Sequence, residues 1–295
     1  MILMSSQIVL YAGRGSGPLC AQALENQLHD LCDDRIYRIS CINLFSDFSD
    51  HSDPKSIKAL FVPGGNALTM RDSNGLVELG SRVLRAVDRY GISYYGSCAG
   101  GILASSELYE SFNDESFSMR SDSRYLFLSL FPGKVIAPLF PKPTIRSPFV
   151  ERVRMLNIQR IGGDLISSAH ILSPGYLSAS EIFRTEVLAT YTNRRPVTLG
   201  RAEGLSLREE REVSPLEVSE SIYHVRSRGG CSSSVLLTGS HPEINSEIVR
   251  SEQFKTAFDA TREEQRELAD LMQESDASRK SLLKGYFEKI GIRCK

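Results

Sequence analysis

Residues 94–106 read YYGSCAGGILASS. An apolar run stops at Gly96, a cysteine stands at 98 with Gly100 two residues beyond it, and helical spacing begins at once. A strand that turns so sharply into a helix needs small residues two before and two after the apex, because the crossing chains otherwise clash. The pattern Gly96-Ser97-Cys98-Ala99-Gly100 meets that need, with cysteine at the position where such elbows carry a nucleophile. The reading puts a strand over "ISYYG" and a helix over "CAGGILASSELYE".

Outward from this turn the same alternation repeats. "QIVLYA" at 7–12 is a continuous apolar strand, followed by the turn "GRGSG" and a helix, "LCAQALENQLHDLC", that sets Leu24, Leu28 and Leu31 on one face. "RIYRIS" alternates as a strand, and "IKALFVPGG" is an apolar strand ending in Pro63-Gly64-Gly65. "GLVELGSRVLRAVDRYG" is a helix with Leu76, Leu79, Val83 and Val87 inward and Gly91 just past its end. Continuously apolar strands alternating with helices predict an α/β fold, a flavodoxin-like, doubly wound parallel sheet covered on both faces. Sites in such sheets gather beyond the carboxyl ends of the strands, where the turns at 63–66 and 96–101 both fall.

The stretch from about 111 to 220 is less regular. "SFNDESFSMRSDSR" reads as a polar loop, "FPGKVIAPLFPKPTIRSPF" as Pro-rich with short strands, and "RAEGLSLREEREVSPLEVSE" as a solvated charged loop or face. Strands return at "SIYHVRS" and "SVLLT", and residues from 245 onward carry helical spacing. The expected organisation is one α/β domain over 1–250 with an irregular insertion at about 111–220, and C-terminal helices over 251–295 packing on the same domain.

The bulk numbers are those of a globular protein. Of 295 residues, 41% are hydrophobic and 24% charged, and 35 basic against 36 acidic residues leave a net charge of −1. That balance offers no basic stripe for nucleic acid and no basic face for a membrane. No apolar run reaches the roughly 18 residues of a spanning helix. The N-terminal residues lack the basic and apolar regions of a signal peptide. The six cysteines are scattered with no CxxC pair, so no metal site is expected, and free thiols in a cytoplasmic setting are the simplest reading.

A thiol nucleophile wants a base, and the base wants an orienting acceptor. Among five histidines, His29 lies on an amphipathic helix, His51 in a polar loop, and His170 and His224 in strand-like runs. His241 differs, because it follows a buried-looking strand and a glycine, and Pro242 stiffens its turn. Glu243 is two residues on, so in an extended segment its carboxylate projects to the same side as the imidazole. The expected site is therefore Cys98 as nucleophile at a helix N-terminus that favours the thiolate, His241 as base and Glu243 as orienting acid. Backbone groups at Gly64, Gly65, Asn66 and Ala99 are the expected oxyanion and substrate-binding donors.

"VPGG", "GSCAGG" and "TGSHPE", in that order, resemble the class I glutamine amidotransferase superfamily, which implies a Cys-His-Glu triad on a flavodoxin-like sheet and no cofactor. The chain is most similar to the N-terminal amidotransferase-like domain of biotin–protein ligases in a free-standing form. "YAGRGSGPLC", "FVPGGNAL", "LFPGKVIAPLF", "VLATYT" and "LLKGYFEKIGI" extend the resemblance along nearly the whole chain. Two departures stand out. The glutaminase elbow continues to a substrate-binding Gln where this chain has Ile102, and a chain without Trp cannot carry the K-W-P-N-D-type ligase signature. The resemblance implies a thiol-dependent amidase or amidotransferase-like hydrolase acting on a small-molecule or peptide amide. A non-catalytic module that binds a ligase, synthetase or carboxylase is the alternative, and a peptidase-like hydrolase is another.

Overall fold

Alternation along the strands sorts their side chains to two sides of one sheet. In a computed structural model, which describes residues 7–40, 56–74, 76–113, 116–119, 128–137, 153–160, 163, 165–171, 175–177, 185–191, 197–203, 206–213, 218–226 and 232–295, the first strand, β1 (Gln7–Tyr11), sends Ile8 and Leu10 to one face and Val9 and Tyr11 to the other. All four are buried. Helix α1 (Pro18–Leu31) covers the first face with Leu24, Leu28 and Leu31, starting at a proline whose missing N–H costs nothing in the first turn. Strands β2 (Arg35–Ile39) and β3 (Ile57–Val62) pair parallel on either side of β1. Helices α2 (Ala67–Asn74) and α3 (Leu76–Tyr90) follow, and Val83 and Val87 of α3 fill the second face.

Strand β4 (Ser93–Ser97) pairs parallel with β3, and helix α4 (Ala99–Ala104) leaves it through Cys98. The expected longer helix stops after six residues. Ser105 turns its hydroxyl back to Gly101 O at 2.9 Å and opens β5 (Ser105–Asn113), which pairs parallel with β7 (Phe131–Ala137). The polar stretch after residue 110 is therefore not all loop, because β5 also pairs antiparallel with β6 (Ser116–Met119). Chain pairing overrides local polarity there, as β-structure often does.

Strands β8 (Val153–Arg160), β9 (Leu165–Ile171), β10 (Gly175–Leu177) and β11 (Thr185–Tyr191) come next. The charged run, expected as a solvated loop or face, is mostly strand and not a loop. It forms a hairpin of β12 (Val197–Glu203) and β13 (Ser206–Val213) and then opens β14 (Val218–Arg226). β15 (Ser232–Thr238) returns antiparallel to β14 and parallel to β4. The sheet thus has a parallel core ordered β2-β1-β3-β4-β15, carried on by mixed pairing through β14 and beyond.

The C-terminal helices are α5 (Ser246–Arg250), α6 (Glu252–Phe258), α7 (Arg262–Gln273) and α8 (Asp276–Lys289). Phe287 of α8 meets Phe61 of β3 and Tyr95 of β4 edge-on, at 5.3 and 5.8 Å between ring centres. Phe254 of α6 and Met272 of α7 pack with Leu19 and Ala23 of α1. No described helix is long and apolar enough to cross a membrane.

Candidate active site

The parallel core aims the ends of β1, β3, β4 and β15 at one place. Cys98 stands between β4 and α4 with φ 49° and ψ −110°, a positive φ that a side chain rarely adopts. Its N–H donates to Thr238 O at 2.8 Å, which ties the apex to the end of β15. Tyr94, buried below, donates its hydroxyl to Gly100 O at 2.8 Å. The strain is held by neighbouring strands on both sides, which is how such conformations persist.

His241 and Glu243 lie just past β15. The segment is a turn, not the extended stretch expected from the sequence: Ile244 N–H donates to His241 O at 3.1 Å. The turn still brings the two side chains together, with Glu243 Oε1 2.8 Å from His241 Nδ1. Ser97 Oγ donates to the same oxygen at 3.4 Å. Both residues are sealed from solvent, at 1% and 0% exposure. Burial alone would push the imidazole toward its neutral form, but the Glu243 carboxylate beside it, with the thiols of Cys20 and Cys98, holds its pKa well above the usual range.

The carboxylate takes Nδ1, so Nε2 is the nitrogen presented to the thiols, and it has no partner of ordinary hydrogen-bond geometry. Cys98 is one of those thiols. Cys20, near the start of α1, is the other, and the sequence reading missed it. Its sulfur, an imidazole nitrogen of His241 and a carboxylate oxygen of Glu243 all lie within 4.8 Å of one another. Burial pushes the Cys20 thiol up, against the pull of His241. The available signal was its position: Cys20 follows the Gly-rich turn after β1, at the same sheet edge as Cys98.

The expected backbone donors divide. Gly64 gives the imidazole room, since a Cβ there would stand 2.5 Å from His241 Cε1 and 3.2 Å from Cys20 Sγ. Gly65 has φ 151° and lets the 13–17 turn approach, since a Cβ there would meet Gly15 O at 2.1 Å. Asn66 donates its N–H to Gly15 O at 2.7 Å and accepts the Thr69 N–H on its exposed side-chain oxygen at 3.0 Å, so both groups already have partners. Ala99 opens α4, where a first-turn N–H has no acceptor within the helix. Ile102 packs against the apolar core.

The other histidines lie elsewhere. His29 is exposed on α1, His224 on β14 faces Ser234 Oγ and Glu186, His170 is on β9, and His51 is outside the described residues. Cys98, His241, Cys20 and Gly65 line a cavity of about 640 Å³. Pro18 and Leu19 of α1 and Ala257 and Phe258 of α6 supply apolar wall, and Glu252 is the ionic side chain among the described lining.

Residues 6–295 match the family described as "Biotin-protein ligase, N terminal". A solved structure titled "Crystal structure of glutamine amidotransferase" is similar over 85% of this chain and 96% of its own, at 16% identity and a TM-score of 0.47. A comparison with curated proteins finds no match. With the family match running over nearly its whole length, the chain belongs to the biotin–protein ligase N-terminal family.

Proposed function

We propose that this chain is a thiol-dependent amidase or amidotransferase-like hydrolase working through Cys98, His241 and Glu243. One observation carries the reading: a buried imidazole is held by a carboxylate at 2.8 Å and lines one cavity with a thiol on a strained elbow. Glu243 fixes the tautomer and supports the imidazolium. Cys98 Sγ attacks the amide carbonyl with its proton held on His241 Nε2. The carbonyl oxygen gathers charge beside the Ala99 N–H and the Gly65 turn. His241 then protonates the leaving amine, and water hydrolyses the thioester by the reverse proton path.

The substrate is an amide of a small molecule or peptide. Apolar walls and a core-packed Ile102 favour an apolar acyl group over glutamine. A protein partner such as a ligase or synthetase is the natural source or receiver of such a group, in the cytoplasm.

A panel of glutamine, primary amides and short peptides, read by amine or ammonia release, tests this. Wild type should turn over at least one class and form a hydroxylamine-sensitive thioester, and Cys98→Ser should do neither. Full turnover by Cys98→Ser would remove Cys98 from the reaction.

A further inference from the structure

Two other thiols meet away from the cavity. Cys32 caps the end of α1, and the segment that follows α8 runs back past it, so that Cys32 and Cys294 face each other in an isolated antiparallel bridge. Lys295 N–H donates to Leu31 O at 2.8 Å, one residue out from the pair, while the Cys32 N–H is turned into its own helix, to Leu28 O at 2.9 Å. The flanking bond makes Cys32 and Cys294 the non-hydrogen-bonded pair of an antiparallel ladder. That is the closer of the two kinds, with Cα atoms about 4.5 Å apart and side chains adjacent. A disulfide spans Cα separations of about 4.4–6.8 Å, so the pair can close without moving backbone. Both residues are free thiols. Cys32 is buried in the cluster that holds Leu28, Leu31 and Ile292, and Cys294 is partly open to a reagent. The Cys294 S–H points to Lys284 O at 3.9 Å, a long sulfur bond that is easily given up. Burial pushes both thiols up; Cys294 pushes Cys32 further, and Cys32 works the other way on Cys294. Cys294 is therefore the thiol that ionises first.

We propose that Cys32 and Cys294 are a reversible disulfide pair, open under reducing conditions and closed by a small-molecule disulfide such as oxidised glutathione. The Cys294 thiolate, its proton lost to solvent, attacks one sulfur of the glutathione disulfide, and a glutathione thiolate leaves. Cys32 then loses its proton and attacks Cys294 Sγ, and the second glutathione leaves. Each exchange breaks one S–S bond and forms one. Two protein thiols are oxidised, and one glutathione disulfide is reduced to two thiols, which take up the two protons. In the open form the segment after α8 is tied to α1 by Lys295 Nζ, which donates to His29 O at 3.2 Å and pairs with Asp33 at 3.4 Å. Such exposed contacts contribute little, so the covalent bond adds a fastening the open form lacks. α1 begins with Pro18 and Leu19 in the cavity wall, so the bond secures the far end of a helix that shapes the site and leaves the cavity open. The two cysteines lie far apart in the sequence. The loop they close is accordingly long, the case in which a crosslink restricts the unfolded chain most. The same separation hides the pair from spacing rules, which see only clustered cysteines.

The test uses the full chain, fully reduced, freed of reductant and then held in oxidised glutathione at mildly alkaline pH, where the raised thiols ionise. Remaining thiols are alkylated, the protein is digested without reduction, and peptides are read by mass spectrometry. The main disulfide should join the Cys32 and Cys294 peptides, a readout independent of any variant. The melting temperature should rise by about 5 °C or more on closure and return when dithiothreitol is added. Cys294→Ser should abolish both the link and the rise, while its melting temperature under reducing conditions stays near that of the reduced wild type. Folded protein that keeps Cys32 and Cys294 as thiols or as separate glutathione adducts overturns the pair. So does a main disulfide between any other two cysteines, or a rise in melting temperature that survives Cys294→Ser. Amide turnover enters none of these readouts, so the pair and the hydrolase stand or fall separately.

Discussion

A Cβ built on Gly100 would stand 2.0 Å from the carbonyl oxygen of Val62. That oxygen belongs to β3, next to the elbow, and its backbone is fixed by pairing to β4. No rotamer relieves the contact, so Gly100→Ala must push α4 and Cys98 away from the sheet. Overpacking of this kind costs about 1–3 kcal/mol, and more when backbone is struck. Thermal unfolding should begin several degrees lower, and any folded fraction should show slower alkylation at Cys98. An unchanged melting temperature would mean that the elbow tolerates a shift the geometry forbids.

Arg279 of α8 is a second fixed point, remote from the thiols. Its side chain is 1% exposed, its Nη2 donates to Met272 O at 2.6 Å, and it pairs with Asp276. Asp276 also accepts the Ser246 N–H at 3.1 Å and the Ser246 hydroxyl. Burial pulls the Arg279 pKa down, and Asp276 works against that pull. Asp276→Asn leaves a buried guanidinium without its charge partner, a change that costs about 3–5 kcal/mol. The urea midpoint should fall accordingly, while Arg279→Met, which removes the charge as well, should lose less.

The parallel core was legible in the sequence because β1 and most of β3 are apolar on both sides and its helices keep a single buried stripe. Val9 and Leu10 face opposite ways and are both buried, so that strand shows no polar position to confuse the period. The elbow was legible because Gly96 and Gly100 answer a steric need that leaves few alternatives. The β12–β13 hairpin was not, since "SLREEREV" carries the charge density of a loop and is held by β12 just before it, which is itself anchored to the distant β6. Cys20 escaped for a related reason: only the meeting of strand ends brings it to His241. The turn at His241 defeated the argument from extended spacing, yet the residues met, because the bond closing at Ile244 curls Glu243 back to Nδ1.

The thiols should separate by reactivity. Burial pushes Cys20 up, and burial with Cys294 opposite pushes Cys32 up. Cys98 is set apart by the elbow, which places it in the cavity between β4 and α4. Brief iodoacetamide labelling of the reduced protein near neutral pH should modify Cys98 first, with Cys20 and Cys32 reacting mainly after unfolding. Peptide mass spectrometry assigns the sites. Preferential labelling of Cys20 would make it, and not Cys98, the thiol that His241 activates.

Glu243→Gln separates the carboxylate's two effects on His241. The amide is nearly isosteric but can no longer stabilise an imidazolium, so turnover should fall about 10³–10⁴-fold, as in triads that lose the orienting charge. Stability should change with pH in a definite sense. In wild type the folded pKa of His241 is raised above the unfolded value of about 6.5, so this interaction stabilises fully below 6.5 and fades as pH rises through the folded value. In the variant burial is left to dominate, the folded pKa drops, and protonation on acidification favours the unfolded chain. The melting temperature of Glu243→Gln should therefore fall increasingly behind wild type as pH is lowered toward 6 and below. It should approach wild type on the alkaline side. A difference that stays constant across that range would mean that His241 is neutral in the folded protein, and the imidazolium would then have to form only in the transition state.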